Sequence, residues 1–90
     1  MSGDSGNRVI VGVKPTMNYV VACLTLFNGG AESVTLRARG NNISAAVDTA
    51  EMLRRVFLKG SRIEGISLGT DTCEATGTGV STIEIVMTRK

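Results

Sequence analysis

The chain has 90 residues, 42% of them hydrophobic and 20% charged, which suits one folded domain and excludes wholesale disorder. It holds no histidine and only two cysteines, Cys23 and Cys73, without a CxxC pair, so zinc sites, a structural disulfide and the commonest general base drop out. A domain this small buries only about 60–65% of its unfolded surface, which makes self-association expected, and a net charge of +2 matters only where it clusters.

Residues 1–7 are polar and rich in Gly and Ser, unlike a secretory signal, and are expected to form a disordered tail ahead of a single domain over 8–90. No apolar run reaches the roughly 20 residues of a membrane span, so a cytoplasmic protein is expected. Residues 8–13, RVIVGV, read as a short buried strand. Pro15 stands where a helix favours its first residue, and Met17, Val20, Val21, Leu24 and Phe27 form an apolar stripe up to the stop at Asn28-Gly29-Gly30. Residues 33–39, SVTLRAR, alternate as a half-exposed strand, with Val34, Leu36 and Ala38 on one face and Thr35, Arg37 and Arg39 on the other.

Asn41 and Asn42 offer an amide cap to a second helix whose stripe is Ile43, Ala46, Val47, Ala50, Leu53 and Phe57. Glu51 can pair with Arg55, and Gly60 supplies a stop. Two strands follow, over 62–70 and 80–88, the first with a bulge near Gly65 because Ile63 and Ile66 fall on opposite parities. The stretch between them, GTDTCEATGTG, reads as a long mobile hairpin tip. The order βαβαββ predicts an α+β two-layer sandwich, with two helices on one face of a mixed sheet, the first two strands parallel and the last two antiparallel.

Arg37 and Arg39 leave one strand face about 6–7 Å apart, close to the spacing of successive phosphates, and their guanidinium forks suit phosphate oxygens. The turn Gly12-Val13-Lys14-Pro15 delivers Lys14 to a helix start whose amides favour an anion, and in a parallel sheet it should lie beside the Arg39-Gly40-Asn41 turn. Asn18 and Tyr19, one turn on, could add hydrogen bonds, or Tyr19 could pack between helix and sheet. Neither turn has the spacing of a Walker or dinucleotide loop, and Asp48 and Glu51 with their arginine neighbours read as a solvated helix face. No nucleophile–base pair or metal set is present, so an enzyme and a cofactor are not expected.

The segment VGVKPTMNYVVACLTLFNGGAESVTLRARGNNISAAVDTAEMLRRVFLKG, with VSTIEIVMTRK at the end, resembles the Alba family of archaeal chromatin proteins over residues 8–90; KPxMNYV, xARGxxIS and VSTIEI carry the resemblance. It implies an Alba fold, similar to the C-terminal domain of the third bacterial translation initiation factor. It also implies a homodimer that coats double-stranded DNA with little sequence preference, associated with the chromosome, and in many members binds RNA.

Lys14, Arg37 and Arg39 match the family's basic positions, Lys14 being a candidate for acetylation, and Arg54 and Phe57 match its dimer–dimer contact. Phe57 completing the core is the alternative. The departures are Val13 and Asn41, where many members carry basic residues, and a hairpin tip with Asp71 and Glu74 but no basic residue. A less basic paralogue is expected: a DNA binder first, an RNA-binding or ribonucleoprotein subunit second, or a heterodimer partner of a more basic Alba chain. If Lys14, Arg37 and Arg39 each met one phosphate, a dimer would show a log–log salt slope of about −5.

Overall fold

The computed structural model describes residues 7–73 and 77–89. The expected tail lies outside them except for Asn7, whose carbonyl accepts a hydrogen bond from Thr35 N at 2.9 Å; Glu74 in the hairpin tip lies outside them as well.

The elements are β1 (Arg8–Ile10), α1 (Thr16–Asn28), β2 (Ser33–Arg39), a 3₁₀ turn (Gly40–Asn42), α2 (Ile43–Met52) with a π-helical last turn (Leu53–Phe57), β3 (Arg62–Cys73) and β4 (Thr78–Thr88). The four strands form one sheet in the order β1-β2-β4-β3. β1 runs parallel to β2, and β4 is antiparallel to both β2 and β3. The predicted α+β sandwich is therefore the observed fold. Period-two alternation on β2 and β4 sends Val34, Leu36, Ala38, Ile83, Ile85 and Met87 into a core shared with Val20, Cys23, Phe27, Ala46, Ala50 and Leu53.

Several expectations need correction. The core face of α1 is rotated from the predicted stripe: Tyr19, Val20, Cys23 and Phe27 are buried, whereas Met17 and Val21 are exposed. The apolar arc of this helix is wider than its contact with the sheet, and the Tyr19 hydroxyl, bonded inward, decides which part of the arc is covered. On α2, Val47 and Phe57 likewise leave the predicted stripe for the surface, Phe57 at 41% exposure. The π turn, closed by Leu58 N donating to Leu53 O at 2.7 Å, accommodates an extra residue per turn and swings Val56 and Phe57 outward. Asn42 makes no side-chain cap; the chain enters α2 through the 3₁₀ turn, for which Gly40 supplies a φ of +56°. Pro15 precedes α1 instead of opening it.

The bulge is present, as a register shift between Ile63 and Gly65. The hairpin tip is mostly strand: Thr70, Asp71, Thr72 and Cys73 pair with Ser81, Val80, Gly79 and Thr78, so β3 and β4 project as an arm. Threonine is β-branched and supports strand where glycine alone would not. Glu51 pairs with Arg55 at 2.8 Å as expected, and with Arg54 at 2.9 Å.

Burial pushes the Cys23 thiol up to about 12. The unfolded chain can ionise this thiol near its ordinary value while the folded chain cannot, so the associated stability is complete below about pH 9 and lost between about 9 and 12. Urea midpoints at pH 8 and pH 10.5 should fall more in the wild type than in Cys23→Ala; equal falls would contradict this assignment.

Candidate nucleic-acid interface

Both helices pack on the side of the sheet that carries Leu36 and Ile85, which leaves the other face without a helical cover. The register defines what that open face presents. Ile10, Arg37, Glu84 and Ser67 lie opposite one another across β1, β2, β4 and β3, and the next row is Arg39, Thr82 and Gly69. Arg37 and Arg39 thus stand on the same open face, as their spacing predicts.

Neither arginine stands alone. Glu84, the direct cross-strand neighbour of Arg37, forms an ion pair with it, Oε2 lying 2.9 Å from Nε, and both side chains keep about a third or more of their surface in solvent. Asp71, on the projecting arm, lies 3.9 Å from Arg39 Nε, reaching over the row where Gly69 has no side chain. Such exposed pairs add little stability, but they set the charge of the face: two cations and two carboxylates.

Lys14 is held differently. The hydroxyl of buried Tyr19 accepts hydrogen bonds from Gly12 N at 2.9 Å and Lys14 N at 3.1 Å, fastening the strand-to-helix turn from within and leaving Lys14 and Val13 exposed. Tyr19 therefore packs and bonds at once, and its polar tip is turned to the turn's backbone. Val11 N donates to Arg37 O at 2.7 Å, extending the parallel ladder, so this turn leaves the sheet beside the carboxyl end of β2 and its exposed Arg39 and Asn41. Lys14 itself shares a shallow groove between β1 and α1 with Arg8, Asn18, Tyr19 and Thr25. Arg8 and Lys14 have no carboxylate partner among the described residues.

Residues 7–70 match the family described as Alba. The chain belongs to the Alba family. DNA/RNA-binding protein Alba 1 of Archaeoglobus fulgidus is 48% identical over 86 residues, covering 93% of this chain and 97% of its own length. DNA/RNA-binding protein Alba of Methanoculleus marisnigri is 51% identical over 84 residues, 91% of this chain and 92% of that one. The solved structure of Alba from Thermoplasma volcanium superposes with a TM-score of 0.85 at 45% identity, covering 91% of this chain and 99% of the other.

Within this Alba chain, Arg54 and Phe57 lie far from the open face in sequence and fold. Arg54 is bonded to Glu51, and Phe57 borders a concavity with Gly30, Glu32, Leu58 and Thr88 at the amino end of β2. Sequence reasoning overlooked Glu84, Asp71 as an arginine partner, and Arg8. The first two become visible only with β4 lying between β2 and β3; Arg8 opens a strand that reads as apolar, although its side of the pleat is the open one.

Tyr19→Phe deletes one acceptor for two amides in a partly buried turn. It should lower stability by about 1–3 kcal/mol and speed hydrogen exchange at Gly12 and Lys14 while the rest of the sheet is unchanged. Unaltered exchange at those two amides would contradict the fastening role.

Proposed function

We propose that this chain is a non-enzymatic, dimeric nucleic-acid-binding protein that grips the phosphate backbone of a duplex without reading base sequence. The observation that carries this reading is the open sheet face: Arg37 and Arg39 project from it, next to the turn that exposes Lys14. Guanidinium forks at phosphate spacing, an ammonium beside a helix start and the amides of Asn18 and Asn41 are donors for phosphate oxygens, and the face offers no recognition helix for a major groove. Relatives named as DNA/RNA-binding proteins support the same reading. Architectural packaging of chromosomal DNA is the first role, and a ribonucleoprotein subunit the second, because an A-form duplex is also gripped through shape and backbone. Arg8 extends the basic track around the β1 edge. Acetylation of Lys14 would remove one of its uncompensated charges.

The dimer reading rests on what the helices leave uncovered. Ile66 and Leu68 lie on the helix-side face of β3, yet they are 56% and 76% exposed. Leu68 borders a depression with Ile43 of α2, and Val47 is exposed on the same helix. A second copy, or a more basic Alba chain, covers this apolar surface and sets two open faces side by side. Phe57, with Val56 beside it, then remains outside for contacts between dimers along the duplex.

Titration of labelled duplex against salt tests the backbone reading. Lys14→Gln should reduce the magnitude of the log–log slope by about 1.8 for a dimer, since each phosphate contributes about 0.9. Arg37→Ala/Arg39→Ala should reduce it by less than the corresponding 3.6, because Glu84 and Asp71 already partly neutralise these arginines. Binding indifferent to salt would overturn the reading. Leu68→Asp should sediment as a folded monomer, whereas Phe57→Ala should stay dimeric and lose only cooperative coating; a dimeric Leu68→Asp variant would exclude this surface as the dimer contact.

A further inference from the structure

From the pairing of Arg37 with Glu84 we infer that Glu84 is a sugar-reading group, whose carboxylate accepts a hydrogen bond from a ribose 2′-hydroxyl and biases this face toward RNA. The inference rests on the open sheet face being the nucleic-acid surface. Phosphate binding alone has no use for the carboxylate of Glu84. A face built only to attract phosphate would avoid an acid at its centre. Here the acid lies directly opposite Arg37 in the β2–β4 ladder, ion-paired to it with Oε2 2.9 Å from Nε, with 40% of its side chain exposed and no helix above it.

The chemistry of the pair divides the work. The ion pair brings Oε2 against Nε, and of the five guanidinium N–H donors the four on the terminal nitrogens stay available for a phosphate oxygen. Oε1 of Glu84 remains as an acceptor beside that phosphate. In a ribonucleotide the 2′-hydroxyl is the donor next to the phosphate, and its hydrogen bond to a carboxylate is charge-assisted. Deoxyribose presents only C–H there, so on DNA the same carboxylate contributes repulsion and desolvation without a compensating bond. Ser67, the neighbour of Glu84 on β3, adds a hydroxyl to the same row, and Asp71 beside Arg39 repeats the cation–carboxylate arrangement one row on.

Binding of the full chain to equal-length RNA, DNA and 2′-O-methyl RNA duplexes tests the inference, because 2′-O-methylation keeps A-form geometry and removes the donor. The wild type should bind RNA about tenfold more tightly than 2′-O-methyl RNA, the scale of one charge-assisted hydrogen bond. Glu84→Ala should erase most of that ratio and raise DNA affinity several-fold. Glu84→Gln, which keeps an acceptor oxygen without the charge, should retain part of the RNA preference while DNA affinity rises. Equal ratios of RNA to 2′-O-methyl RNA in the wild type and Glu84→Ala would overturn the inference and leave the surface reading standing. Binding of none of the three duplexes by the wild type would overturn both.

Discussion

The pairing of β2 with β4 fixes both sides of the molecule at once. Leu36 meets Ile85 and Ala38 meets Ile83 on the covered face, so Arg37 must meet Glu84 on the open one. A slip of β2 by one residue would send Arg37 into the core and Leu36 into solvent, so the hydrophobic pattern enforces the register strongly. The same register carries the polar row across Ser67 on β3 and Ile10 on β1. The core residues thereby determine which charges face each other outside, and the electrostatics of the open face follow from packing.

A second constraint operates at the carboxyl end of β1. Tyr19 is the point where a helix side chain fastens a loop backbone, and its two accepted hydrogen bonds fix the direction in which Lys14 leaves the turn. The bond from Val11 N to Arg37 O ties that turn to the strand that bears the arginines. Lys14 is thus held relative to Arg39 by backbone hydrogen bonds and one buried phenol, which is the kind of preorganisation that lowers the entropic cost of binding. The opposite end of the sheet, with Phe57 and its concavity, shares none of these connections.

Much of this organisation was legible in the sequence, and the parts that were not have physical reasons. Alternation on β2 and β4 was readable because one face is buried and the other wet, which makes the two-residue period unambiguous. The α1 stripe is rotated from the one the spacing predicts: Met17 and Val21 are as apolar as the residues actually buried, so hydropathy alone does not distinguish the two faces, and the Tyr19 hydroxyl is bonded on the buried one. Phe57 left the α2 stripe through a π turn that no residue spacing announces. The threonines of the hairpin read as loop because glycines separate them, yet ladder pairing with β4 extends the strand to Cys73. At the site, Arg37 and Arg39 are legible from their spacing on one strand face, Lys14 from the turn at a helix start, and all three from the resemblance to Alba, whereas the Glu84 and Asp71 pairings require the spatial strand order, which places β4 between β2 and β3.

The open face differs from a simple basic patch in that its cations are matched by carboxylates, while Arg8 and Lys14, unmatched among the described residues, lie at its β1 border. Chemical-shift mapping of isotope-labelled protein during titration with a short duplex addresses the whole arrangement most directly. Binding through the open face predicts the largest changes at Arg8, Lys14, Arg37, Arg39 and Glu84, with little at Met17 and Val21 on the outer side of α1. Changes concentrated on α1 or around Phe57, with the Arg37 row unaffected, would contradict the assignment of the sheet face as the binding surface.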